Sequence, residues 1–230
     1  MEHEKKVRQF FDVPVNYLNQ SFGIRIRAEL VRDMIGVPVG KSILDVGCGN
    51  GAISRQFIER NKITFLDISP NMIEETKRYI DDKNRSNATF LVGSYNETQI
   101  PGKFDYVLLI GVLAHVSSVP DCLRRTVSLI NDDGYAVIQF SDYNHWLVRR
   151  RISKAAKYNY ALNRLAYNEL KAIIYACGLE VVNEVRYSYL LPGMGRFPDW
   201  VLYKYSRLFL RSRFLSRHGT DLMWLLRKRA

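Results

Sequence analysis

The sequence predicts an α/β fold, a doubly wound, mostly parallel sheet of seven strands. Three observations carry this reading. A short apolar run at 42–46 meets three alternate glycines, Gly47, Gly49 and Gly51, and then a helical pattern. Apolar runs and helical patterns go on alternating over about 100 residues, as they do when parallel strands are joined by helical crossovers. The run at 104–110 is almost wholly apolar, as in a strand buried on both faces. Right-handed crossovers turn such an alternation into a doubly wound order, with ligands received at the carboxyl ends of the strands beside the first.

The elements follow in order. Residues 4–35 read as one or two helices. Phe10, Phe11, Val15, Tyr17 and Leu18 are too closely spaced for one stripe, whereas Ile26, Leu30 and Ile35, with Val31 and Met34, fit one helical face. Glycine and proline at 36–40 break the pattern before the first strand, 42–46. A helix is predicted over 52–59 and a second strand over 63–66, ending at Asp67. Ser69 caps and Pro70 opens a helix to about residue 81. Residues 89–92 form the third strand, closed by Gly93, and 104–110 the fourth. A helix over 120–130 and a turn at 131–134 lead into a fifth strand, 135–140. Residues 141–162 read as an insertion rich in aromatic and basic groups, among them His145, Trp146, Arg149, Arg150, Arg151, Lys154, Lys157, Tyr158 and Tyr160. A helix at 165–177, stopped by Gly178, precedes a strand at 180–189. A second insertion at 192–217 precedes the last strand, 221–226. Residues 1–230 thus read as one domain, with a helical segment at 1–40 and two insertions.

Composition narrows the setting. The 230 residues are 47% hydrophobic and 25% charged, enough to bury a full core. The charged N-terminus has no apolar core of a signal peptide, and the longest apolar run, 106–116, is too short to span a bilayer. Cys48, Cys122 and Cys177 lie far apart without metal-ligand spacing, so no metal site and a reduced, cytoplasmic compartment are expected. Charge is unevenly placed. Residues 1–145 carry 17 cations and 18 anions, a net of −1, whereas 146–230 carry 17 and 5, a net of +12. The basic half points to an anionic partner or surface.

The segment Asp45-Val-Gly47-Cys48-Gly49-Asn-Gly51 resembles the first motif of the class I S-adenosylmethionine-dependent methyltransferases. Leu66-Asp67-Ile68-Ser69, Gly93-Ser94, Phe104-Asp105-Tyr106-Val107, Gly111-Val112-Leu113-Ala114-His115-Val116 and 129–135 resemble later stations of that family, in its order. The resemblance covers roughly residues 35–140. It implies a Rossmann-like sheet with an antiparallel C-terminal strand and S-adenosyl-L-methionine as cofactor. It also implies roles. The glycine turn, with Cys48 as a small filler, passes close to the cofactor's methionine part. Asp45 orients that loop and reaches the cofactor's ammonium group directly or through water. Asp67 accepts the ribose hydroxyls. Ile68 faces the adenine, with Ser94 and Tyr95 on its other side or edge, and Ile110 borders the sulfonium. Many relatives carry an acid where Ser94 stands, so that contact differs here.

A dinucleotide fingerprint, Gly47-x-Gly49-x-x-Ala52, is also present. Asp45 before the glycines and Gly51 among them weigh against it, since a pyrophosphate would meet an acidic loop. Methyl transfer needs alignment and water exclusion, and a base only when the acceptor must lose a proton. His115, just past the fourth strand, is the first candidate for base or acceptor-positioning residue. His145 and Tyr143, just past the fifth, are the next, and Tyr17 is placed to close over the cofactor.

The segment 198–217 reads as a basic amphipathic helix. Trp200, Val201, Tyr205, Leu208 and Phe209 fall on one side, and Lys204, Arg207 and Arg211 on another. It suggests peripheral contact with an anionic membrane or an anionic lipid-linked acceptor. No nucleic-acid motif accompanies the charge. The expected function is methyl transfer to oxygen or nitrogen of a small-molecule, sugar or lipid-linked acceptor. The competing readings are a nucleic-acid methyltransferase and a non-catalytic scaffold acting through the basic face.

Overall fold

A computed structural model describes residues 2–13, 21–153, 160–189 and 193–229. Tyr17, Lys154, Lys157 and Tyr158 lie outside the described residues. The apolar runs become seven strands: β1 (Ser42–Val46), β2 (Lys62–Asp67), β3 (Ala88–Val92), β4 (Phe104–Ile110), β5 (Ile130–Ser141), β6 (Leu179–Tyr187) and β7 (Asp221–Lys228). They form one sheet in the order β3-β2-β1-β4-β5-β7-β6. Pairings from β3 to β5 are parallel, and β7 runs antiparallel between β5 and β6. This is the doubly wound sheet the alternation predicts, with its chain reversal at β1/β4.

Alternating side chains on each strand feed two apolar layers. Leu109, Leu44, Ile138 and Trp224 pack on one face with Leu123 of α4 (Val119–Leu129). Leu108, Ile43, Val137 and Met223 pack on the other with Ile26, Leu30 and Val31 of α2 (Ser21–Ile35). The described residues of the N-terminal segment form the helices α1 (Glu2–Phe11) and α2. The remaining α-helices among the described residues are α3 (Pro70–Arg78), α5 (Trp146–Ser153), α6 (Tyr167–Ala176), α7 (Asp199–Arg211) and α8 (Arg213–Ser216). Ser69 caps α3 by accepting the N–H of Met72, and Pro70 occupies its first turn. No described helix is long and apolar enough to cross a membrane.

Three local expectations are corrected. The helix expected over 52–59 is a 3-10 helix, Arg55–Arg60. The Gln56 side chain donates to the Ile53 carbonyl at 2.7 Å, taking the acceptor that an α-turn would offer to Phe57. The Phe57 N–H instead bonds Ser54 O. The turn expected at 131–134 lies inside β5 as an irregularity, because Phe104 pairs with Ile130 and Tyr106 with Tyr135. The segment 198–217 is two helices, broken where Ser212 caps α8. Its faces also differ from the expected ones. Leu202, Ser206 and Phe209 are buried, whereas Trp200 and Leu208 point out with the cations.

Candidate active site

A cavity of about 390 Å³ runs along the carboxyl ends of the strands. Its lining follows strand order: Ser94 and Tyr95 after β3, Asp67 and Ile68 at β2, Gly47 and Gly49 after β1, Ile110 and Gly111 at β4, residues 139–141 on β5 and Asp221 on β7. From α1 come Glu4, Val7, Phe10 and Phe11, and from α2 come Gly23, Ile24 and Arg27.

The β1–β2 end is built by backbone. Gly47 has φ +63°, and a Cβ there would lie 2.8 Å from Val112 Cγ2. Gly51 lies beneath the loop, outside the lining, where a Cβ would press Thr76 and Phe65 at 2.8 and 3.1 Å. The Gly49 N–H donates to Asp67 Oδ2 at 2.9 Å, and the Ser69 N–H donates to Oδ1 at the same distance. Burial pushes the Asp67 carboxyl up to about 6, and those N–H groups oppose the shift. One buried carboxylate is therefore held by backbone at the edge of the cavity.

Asp45 is buried outside the lining and accepts the Ser54 hydroxyl at 2.6 Å. Burial pushes its carboxyl up to about 7. This contact braces the glycine loop against the chain that follows. Cys48 is buried, its Sγ donating to Gly49 O, and burial raises its thiol well above the ordinary range. A thiol so placed is a filler rather than a thiolate.

At the β3 end Ser94 donates to Glu4 Oε1 at 2.6 Å, so an acid from α1 stands beside the position where many relatives carry one. Tyr95 lines the cavity, and its buried side chain shares a hydrogen bond with the Thr126 hydroxyl. Past β4, His115 lines the cavity. Its Nδ1 lies 2.9 Å from Tyr160 Oη and its ring meets the Phe11 edge at 5.2 Å. Asn163 fastens this loop, donating to Leu113 O and Val116 O at 2.9 and 2.7 Å.

His145 and Tyr143 do not line this cavity. The chain turns away at Asp142, whose carboxylate accepts the Asn144 and Tyr167 N–H groups and pairs with Arg186. His145 Nδ1 accepts the Leu147 N–H at the start of α5, and burial lowers its basicity. Tyr143 lies under the Arg164 guanidinium, 5.3 Å from its ring centroid.

Sequence reasoning did not single out Glu4, Arg27, Gln139, Ser141, Asp221 or Asn163. Gln139 had a signal, a carboxamide in the apolar strand Tyr-Ala-Val-Ile-Gln-Phe. It is 4% exposed and lines the cavity, and its side chain makes no hydrogen bond among the described residues. Its amide opens to the cavity, where it can pair with water or a ligand. Glu4 and Arg27 sit on charged helices and carried no such signal.

A family model described as a methyltransferase domain matches residues 39–189. The chain belongs to the class I S-adenosylmethionine-dependent methyltransferases. It is similar to the mitochondrial ubiquinone biosynthesis O-methyltransferase of Schizosaccharomyces pombe, with 32% identity over 102 residues, 43% of this chain and 37% of that one. It is also similar to the malonyl-[acyl-carrier protein] O-methyltransferase of Acetivibrio thermocellus, with 31% identity over 106 residues, 45% of this chain and 36% of the other. The chain thus spans little more than a third of the length of these two relatives. Its fold resembles a chain in the complex between the Haloferax volcanii Trm112 methyltransferase activator and a methyltransferase, with TM-score 0.70 at 18% identity over 97% of this chain and 98% of that one. It also resembles magnesium protoporphyrin IX methyltransferase from Synechocystis PCC 6803, solved with S-adenosylmethionine, with TM-score 0.65 at 14% identity over 100% and 98%.

The cavity of this methyltransferase suits the family's cofactor by its donor set. A backbone-held carboxylate matches a ribose diol, an acid at the β3 end matches an adenine amine, and a guanidinium near Gly111 matches a carboxylate.

Proposed function

We propose that this chain transfers a methyl group from S-adenosylmethionine to an oxygen of a polar small-molecule or lipid-linked acceptor. The observation that carries the reading is one continuous cavity joining the glycine corner to His115 and Gln139. When bound, the cofactor supplies a sulfonium methyl that is already electrophilic. Asp67 accepts the ribose hydroxyls, Glu4 and Ser94 meet the adenine edge, and Arg27 meets the carboxylate. Phe10 and Phe11 of α1 exclude water over the reacting end. His115, which lines the cavity with Nδ1 against Tyr160 Oη, acts as the general base for the acceptor's hydroxyl. Gln139 offers one donor and one acceptor to the same substrate. The O-methyltransferase names of the two relatives support oxygen as the methylated atom.

Calorimetry with S-adenosylhomocysteine tests the cofactor half. Folded protein should bind it, and Asp67→Asn should weaken binding roughly a hundredfold, since two charge-assisted hydrogen bonds are lost. No binding to the folded wild type at millimolar ligand overturns the reading, and equal affinity in Asp67→Asn removes the ribose assignment. A screen of hydroxylated acceptors with radiolabelled methyl donor then identifies the substrate.

A further inference from the structure

The outward stripe of α7 mixes cations with large apolar side chains. Leu202, Ser206 and Phe209 face the protein. Trp200, Lys204, Arg207, Leu208 and Arg211 fall on the opposite side, within about 100° of arc at 3.6 residues per turn. Trp200 is 62% exposed and Leu208 67%, and Phe214 on α8 is 71% exposed. Residues 193–217 hold six Lys and Arg against one Asp. Lys204 Nζ lies 5.2 Å from the Trp200 ring centroid, so cation and aromatic group share one patch.

A merely solvated face accounts for the cations and leaves the aromatic and aliphatic groups unexplained. A second copy seated two-fold on the patch would bring like charges face to face. An anionic bilayer satisfies both halves, because headgroup phosphates take the cations while Trp and Leu enter the interfacial layer.

We propose that the α7–α8 face docks this protein on an anionic lipid surface. Helix α2 connects that face to the cavity. Tyr203 and Arg207 of α7 both reach Glu29, while Arg27 on the same helix lines the cavity. The inference does not depend on methyl transfer.

The test is sedimentation of the full chain with phosphatidylcholine vesicles and with phosphatidylcholine–phosphatidylglycerol vesicles, at low and high salt, with and without single-stranded RNA as competitor. Binding should require phosphatidylglycerol and weaken with salt. Lys204→Glu/Arg211→Glu and, separately, Trp200→Ser/Leu208→Ser should each reduce partitioning by roughly tenfold or more. Retained circular dichroism and S-adenosylhomocysteine affinity in both variants separate lost docking from misfolding and from failure of the cofactor reading. No binding to anionic vesicles overturns the proposal. So does binding that the apolar pair does not change, or preference for single-stranded RNA over vesicles.

Discussion

The two ends of the cavity are built in opposite ways. The β3–β2–β1 end rests on residues between 45 and 95, close in sequence, with Glu4 of α1 as a distant contributor, and backbone N–H groups hold the Asp67 carboxylate. The β4–β5–β7 end gathers side chains from α1, α2, the loop at 160–165 and three strands, with partners such as Tyr160 and His115 45 positions apart. A backbone-held end suits a cofactor common to a whole family. An end made of dispersed side chains can change with the acceptor while the corner stays as it is. Mutations at the two ends should therefore separate: one set moves cofactor affinity and the other moves turnover.

The largest expected effect lies at the dispersed end. His115→Asn should lower kcat by roughly 10²–10⁴-fold once an acceptor is in hand. It should leave S-adenosylhomocysteine affinity near wild type, because the described contacts of His115 are with Tyr160 and α1 rather than the glycine corner. The pH profile discriminates, since losing a base flattens the acidic limb of kcat. A loss of cofactor affinity equal to the loss of turnover would erase the distinction between the ends.

Gln139→Leu sharpens the same comparison from the side of stability. The carboxamide is 4% exposed and makes no hydrogen bond among the described residues. Because the carboxamide opens to the cavity, where water pairs it in the free protein, an apolar side chain of similar size should leave stability within about 1 kcal/mol of wild type while raising the acceptor KM roughly tenfold. Thermal melts and acceptor titrations read the two changes. A drop in melting temperature would mean that Gln139 serves the core and not a ligand.

The contrast also explains what was legible in the sequence. Strands β1, β2 and β4 could be read because buried parallel strands are apolar on both faces, the edge strand β3 because Gly93 closes its short run, and the corner because its glycines and acids are local. The faces of α7 could not be read. Trp200 to Arg211 carries apolar residues on every side, so periodicity has no single stripe to find, and packing against α2 and β6 selects Leu202 and Phe209. His145 and Tyr143 were drawn in by nearness to the end of β5. The contacts of Asp142 with Arg186 and with the Tyr167 N–H direct the chain elsewhere, and those partners lie far along the sequence. Glu4 and Arg27 were hidden for the same reason: helices bring them in, and nothing near them in sequence marks a cavity.

The smallest expected effect compares the two buried acids of the corner. Asp67 has two backbone N–H groups on its carboxylate, whereas the Asp45 carboxylate accepts the Ser54 hydroxyl. Burial lifts both, Asp67 to about 6 and Asp45 to about 7, from an ordinary 3.8. An acid whose proton is held more tightly in the folded chain favours folding while it stays protonated. Its contribution is full below 3.8 and disappears as pH rises through about 7. The free protein should therefore lose stability as pH rises between those values. Asp45→Asn should flatten that slope, because the amide oxygen still accepts from Ser54 and carries no charge to bury. Urea melts of wild type and variant at about pH 5 and about pH 8 measure the difference. Equal slopes in the two proteins would show that Asp45 is already ionised across this range, held by its bond to Ser54.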